Sequence, residues 1–225
     1  YGDHRDLHLS LRRQRQMCIR DRFRFGHILV GITWIGLLYY FNFIQTEYFK
    51  EAEEDARKDA VAKLAPRALW WFRWAAFLTF LTGLALLHYI SVKITLEIIL
   101  GATMGTLMML NVWGIIWPNQ KIVIGLKEGD AAVAAPKAAL ASRTNTLFSV
   151  GMLYFMVASA HYPASGQILG ANLGMTGLLV GLGIIFAIQA NAMWGKMLPA
   201  ITSVRSVIVS SFVLCIGLSS VAYYL

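Results

Sequence analysis

The sequence predicts an all-α fold, a polytopic integral membrane helical bundle of about six transmembrane helices. Three observations carry this expectation. Six apolar stretches can be read, at roughly 24–45, 68–91, 94–117, 144–162, 168–189 and 201–223, each near the ~20 residues that a helix needs to cross a bilayer. Hydrophobic residues make up 57% of the 225-residue chain and charged residues only 14%, a balance foreign to a soluble domain of this length. Lys and Arg also collect in alternate connections, as the positive-inside rule requires.

Each element follows in order. The first span holds the string HILVGITWIGLLYYFNF (27–43). After it, EYFKEAEEDARKDAVAKLAP (47–66) mixes Glu and Lys at i, i+3 and i+4 spacing and stops at Pro66, which predicts a charged, solvated connecting helix. The second span opens as LWWFRWAAFLTFLTGLALL (69–87), where Trp70, Trp71 and Trp74 suit an interfacial aromatic belt. Little beyond Lys93 separates it from the third, which carries Gly101-x-x-x-Gly105 and runs into WGIIWPNQK (113–121). The alanine-rich LKEGDAAVAAPKAALASR (126–143) is only weakly amphipathic and is expected at the membrane surface. The fourth span reads RTNTLFSVGMLYFMVASAHYP (143–163). The fifth brings Gly170-x-x-x-Gly174 and Gly177-x-x-x-Gly181, spacings that let helices approach closely in lipid, and the sixth encloses Cys215.

Basic residues set the orientation. Lys50, Arg57, Lys58, Lys63 and Arg67 follow the first span, Lys121, Lys127, Lys137 and Arg143 follow the third, and Lys196 and Arg205 flank the start of the sixth. These connections are expected on the cytoplasmic side and both termini on the other. Residues 1–22, YGDHRDLHLSLRRQRQMCIRDR, stand apart from this pattern. They hold six Arg and three Asp without apolar periodicity and resemble a translated adapter read-through, so they are expected to be a non-native leader, with 23–225 forming the transmembrane domain. Setting the leader aside lowers the formal net charge of +8 by three, and what remains is positive-inside charge rather than a nucleic-acid footprint. Its removal leaves Cys215 as a lone thiol, which excludes an internal disulfide, and no C-x-x-C-H offers covalent haem attachment.

In this topology three histidines on three helices reach one membrane face: His27 near the start of the first span, His88 at the end of the second and His161 at the end of the fourth. Glu97, at the start of the third, joins them. Imidazole is an axial ligand for haem iron and a ligand for other redox metals, and ionisable groups within a membrane mark function. His27, His88 and His161 are therefore candidate metal ligands, with His88 also a proton carrier and Glu97 its partner or a base. The competing explanation is three interfacial histidines bonded to water, lipid or backbone. Trp34 lies two turns from His27 on the same face, and Gly31 between them leaves room for a flat macrocycle. Among groups able to bind a small polar molecule, Thr33 and Asn172 lie on the histidine half and Asn42, Asn111, Asn145, Gln189 and Asn191 on the other. Arg73 and Arg205 lie near helix starts, where snorkelling accounts for them.

The strings at 27–43, 69–87, 113–121 and 143–163, with the patterns H-x-x-x-G-I-x-W-I-G and S-x-H-Y-P, resemble the membrane domain of bacterial urate hydroxylases over most of residues 24–163. That resemblance implies a membrane oxidoreductase of the bacterial inner membrane that oxidises urate to 5-hydroxyisourate with water as oxygen source. It implies a purine-like substrate and, since no cytochrome c motif follows the bundle, electron delivery to a separate periplasmic cytochrome c. Because His27 and His161 both sit in the family-like strings, they are the preferred ligand pair for a haem b or another redox metal, with Trp34 and Gly31 beside it. A fainter similarity to the membrane protoporphyrinogen oxidase also points to haem. Two other functions stay open: a non-catalytic haem-binding or structural subunit of an electron-transfer complex, and a small-solute transporter, for which no broken-helix pairs or inverted repeats speak.

Overall fold

The computed structural model describes residues 3–90, 94–161 and 175–225, with side chains from residue 17 onward. Lys93, Tyr162, Pro163, Asn172, the Gly170/Gly174 pair and the first part of the expected fifth span lie outside the described residues. Every regular element among the described residues is helical: α1 (Asp3–Tyr39), α2 (Thr46–Glu51), α3 (Glu54–Asp59), α4 (Ala65–Ile90), α5 (Leu96–Asn111), α6 (Trp117–Val123), α7 (Ala131–His161), α8 (Met175–Trp194), α9 (Pro199–Thr202) and α10 (Val204–Tyr224). Three π-helical turns, Tyr40–Gln45, Ala60–Leu64 and Val112–Ile116, join α1 to α2, α3 to α4 and α5 to α6.

Five of these helical runs are long and apolar enough to cross a membrane: Met17–Glu51, Glu54–Ile90, Leu96–Val123, Met175–Trp194 and Val204–Tyr224. They coincide with five of the six expected spans. The sixth, expected at 144–162, lies in α7, which falls short of that standard of apolarity because Arg143, Thr144, Asn145, Thr146 and Ser149 form a polar stripe along it. That stripe is buried, since α7 packs against α1, α5, α6, α8 and α10. At about 1.5 Å per residue its 31 residues reach across a bilayer core.

One expectation about the connections is refined and one corrected. Residues 131–143 form the first part of α7 and are amphipathic: 131–133, 135–137 and 139 are exposed, as a surface segment requires, whereas Ala134, Ala138, Ala141 and Arg143 are buried. The expected connecting helix over 47–66 is instead broken at Ala52, whose backbone is extended, and resumes at Glu54. Pro66 does not stop a helix: the run from Glu54 to Ile90 continues through it, directly after the π turn Ala60–Leu64.

Glycine spacing fixes the closest crossings. A Cβ on Gly101 would lie 3.2 Å from the Phe155 Cβ and 3.4 Å from the Met156 backbone nitrogen, so α5 meets α7 backbone to backbone there. One on Gly177 would lie 2.9 Å from the Val221 carbonyl and one on Gly181 3.0 Å from Leu100, which brings α8 onto α10 and α5. Trp34, Leu38, Phe72, Leu100, Met104, Met108, Phe148 and Phe155 fill the core between these contacts. The chain runs back and forth six times, so Phe23 beside Tyr89 and Leu225 beside Gly177 mark one end of the bundle. The other end carries the π turns, α2, α3, α6 and α9.

Gly101→Leu is expected to cost about 1–3 kcal/mol through overpacking against backbone atoms that cannot yield. Thermal unfolding in detergent would read this as a lowered Tm, with Gly183→Leu, which meets open space, as the unaffected control; equal midpoints for the two would contradict the α5/α7 crossing.

Candidate functional site

The histidines sit at the end of the bundle marked by Phe23 and Tyr89, as the topology predicts. His27 lies on the face of α1 that packs along α4: its Nδ1 is 3.0 Å from the Thr82 hydroxyl, and its ring lies 3.2 Å from where a Gly83 Cβ would stand. His88 is exposed and packs edge-on against Tyr89 with ring centroids 5.9 Å apart. His161 is exposed at the last residue of α7. Glu97 is buried, 2% exposed, in the first turn of α5, where a helix N-terminus favours a carboxylate. Thr95 caps that helix through its hydroxyl, 3.3 Å from the Ile98 nitrogen.

A Cβ on Gly31 would lie 3.9 Å from the Thr79 methyl, so the space beside it faces α4. Trp34, 2% exposed, continues the same seam into the core. The i, i+4, i+7 stripe of His27, Gly31 and Trp34 is thus the α1/α4 contact. Among the described residues no three His, Cys, Asp or Glu side chains gather as a metal-binding group.

Polar side chains are gathered elsewhere, along α7. Asn111 on α5 donates through Nδ2 to the Asn145 Oδ1 at 2.8 Å and to the Gln189 Oε1 of α8 at 3.0 Å, while Gln189 Nε2 donates back to the Asn111 Oδ1 at 2.6 Å. Asn145 donates to the Met108 carbonyl at 2.9 Å. Tyr39 of α1 pairs with Ser149 at 2.9 Å, and Ser211 of α10 donates to the Leu147 carbonyl at 2.8 Å. Of the amides read as candidates in the sequence, Asn111, Asn145 and Gln189 are therefore a closed set that locks three helices together.

Asn42 has a different place. It lines a cavity of about 400 Å³ at the end opposite the histidines, between α2, α4, α6, α7 and the π turn that follows α1. Phe41, Phe49 and Phe72 supply aromatic walls, with Phe41 edge-on to Phe72 at 5.4 Å. All three π turns contribute lining residues: Asn42 and Gln45 from the first, Val61 from the second, Ile116 from the third. Such turns insert an extra residue into a helix and recur at functional sites. Thr46 steadies the first by donating to the Phe41 carbonyl at 2.7 Å.

Arg143 also lines this cavity, although the sequence reading placed it among the loop cations. It is only 6% exposed, and its Nη1 is buried with no hydrogen-bond partner. Glu47, the acidic side chain whose field reaches it, gives both carboxylate oxygens to Lys50, at 2.8 and 2.9 Å. Gln45 Oε1 is likewise buried without a partner. Both amide hydrogens of Asn42 are committed, to the Leu38 carbonyl at 2.9 Å and the Ser142 hydroxyl at 2.8 Å, which leaves its carbonyl as an acceptor. Little in the sequence signalled this: α7 runs from Ala131 through Pro136, a residue that usually ends a helix, and so carries Arg143 into the bundle.

Arg73 lies 3.9 Å over the Trp117 ring, and its carbonyl accepts from Trp113 Nε1 at 3.1 Å. It is spent on packing, and Arg205 is exposed.

The sequence model of a family described as "Urate oxidase N-terminal" matches residues 92–215. No curated protein and no solved structure matches. The matched stretch takes in Glu97, Asn111, Arg143, Asn145, His161 and Gln189, whereas His27, Gly31, Trp34, Asn42, Gln45 and His88 precede it.

Asn111→Leu removes three hydrogen bonds and strands the amides of Asn145 and Gln189, at an expected cost of about 1–3 kcal/mol. Detergent unfolding midpoints would measure the loss; a midpoint at or above that of the parent would contradict the closed network.

Proposed function

The chain belongs to the urate oxidase N-terminal family, and on that premise we propose that it is a membrane-bound oxidoreductase that converts urate to 5-hydroxyisourate. Urate and water give 5-hydroxyisourate, two protons and two electrons, so the oxygen of the new hydroxyl comes from water and the electrons need an acceptor. That acceptor is a one-electron carrier of the cytochrome c class on the periplasmic side of a bacterial inner membrane. The observation that carries the reading is family membership on a bundle whose described helices suit a bilayer.

Positive-inside charge supports the orientation. The end with the π turns bears Lys50, Lys58, Lys63, Lys121 and Lys127 and faces the cytoplasm, and the histidine end faces the periplasm. What this chain's own residues supply is a dry, helix-walled interior and polar groups that orient a bound molecule.

Membranes containing the full chain should consume urate without oxygen when oxidised cytochrome c is added. Two carriers should be reduced per urate, and isotopic oxygen from labelled water should enter the product. Urate left unchanged with cytochrome c and with an artificial acceptor would overturn the reading in favour of a non-catalytic subunit.

A further inference from the structure

We propose that the cavity beside Arg143 binds a small, flat monoanion that carries ring N–H groups next to its oxygen acceptors. Arg143 holds the negative edge, and Gln45 and Asn42 receive the N–H groups.

Charge comes first. A guanidinium taken out of water without a counter-charge is costly, and the cost rises inside a membrane domain. Every other buried polar side chain of α7 has a hydrogen-bond partner, and Arg143 is the exception on that helix among the described residues. The neighbouring carboxylate of Glu47 is occupied by Lys50. A ligand that enters the cavity brings the missing negative charge. With one cation and no second among the lining residues, a single charge is matched and a divalent anion is not.

Shape and hydrogen bonding narrow the class. Phe41, Phe49 and Phe72 present apolar walls suited to a flat ring, and about 400 Å³ lies in the range of small-ligand pockets. The unpartnered oxygens of Gln45 and Asn42 accept but cannot donate at those atoms, so they select a ligand with N–H groups of its own. A simple aromatic carboxylate satisfies Arg143 and leaves both oxygens bare. An anionic oxo-heterocycle satisfies all three. Urate as the particular anion rests on the function proposed above; the anion site rests on the geometry alone.

The test is equilibrium binding of radiolabelled urate to the full chain in detergent, without electron acceptor so that no turnover occurs. The parent should bind saturably, and benzoate should compete only weakly. Arg143→Met should weaken binding roughly hundredfold, because it removes one partner of a buried charge-assisted bond. Gln45→Leu should weaken it about tenfold, as loss of one neutral hydrogen bond implies. Arg143→Met also removes the unpaired charge, so it should unfold no earlier than the parent. Should that variant not fold, Arg143→Lys, with its shorter reach and no fork, and Gln45→Leu carry the test, and unchanged affinity in both would overturn the site. So would no saturable binding by the parent, undiminished binding to Arg143→Met, or benzoate binding as tightly as urate. Tight binding without oxidation would leave the site standing and remove the proposed reaction. Urate oxidation that survives Arg143→Met at the parent's KM would do the reverse.

Discussion

The structure depends on one constraint: α7 carries a polar stripe through the middle of an apolar bundle, and that stripe must be satisfied from within. Lipid offers nothing to hydrogen-bond, so these side chains turn to carbonyls of their own helix, as Thr144 and Thr146 do, or to a neighbouring helix. Asn145 reaches α5 and, through Asn111, α8; Ser149 meets Tyr39 of α1; the Leu147 carbonyl receives Ser211 of α10. Each bond is worth little by itself in a membrane, on the order of 1 kcal/mol. Their geometry nonetheless specifies which helix stands beside which, since any rotation of α7 strands several groups at once.

Glycine makes the same arrangement reachable. The Gly101 and Gly181 approaches bring α7 and α8 to α5, so that short side chains such as Asn and Ser span the gap. Small residues and polar bonds therefore act together along one helix. Arg143 stands at the end of that stripe, just where three helices loosen into π turns and open a cavity. Rigid packing along α7 and an open, polar-edged space at its basic end follow from one sequence run, Ser142 to Ser149.

Much of this was legible in the sequence. Long apolar runs placed five of the spans, because length and composition are visible in sequence; α7, with its buried polar side chains, falls short by that standard. The glycine pairs at Gly101/Gly105 and Gly177/Gly181 marked real crossings. Same-face reasoning on His27, Gly31 and Trp34 found a true stripe, but helical periodicity reports that a face is buried and not what buries it; the answer is α4. Arg143 was hidden by its neighbours. A cation after an alanine-rich segment reads as loop charge, and only the continuity of α7 through that segment carries it inside. The amides Asn111, Asn145 and Gln189 come from positions 34 and 78 residues apart, so no local pattern announces that they meet.

An experimental density map of the full chain with urate present addresses the central claim most directly. The account predicts the Asn111–Asn145–Gln189 set closed at the core and a flat ligand within hydrogen-bond reach of Arg143 Nη1 and Gln45 Oε1. A map with Arg143 ion-paired to Glu47, or with the cavity filled by side chains and urate bound elsewhere, would contradict it.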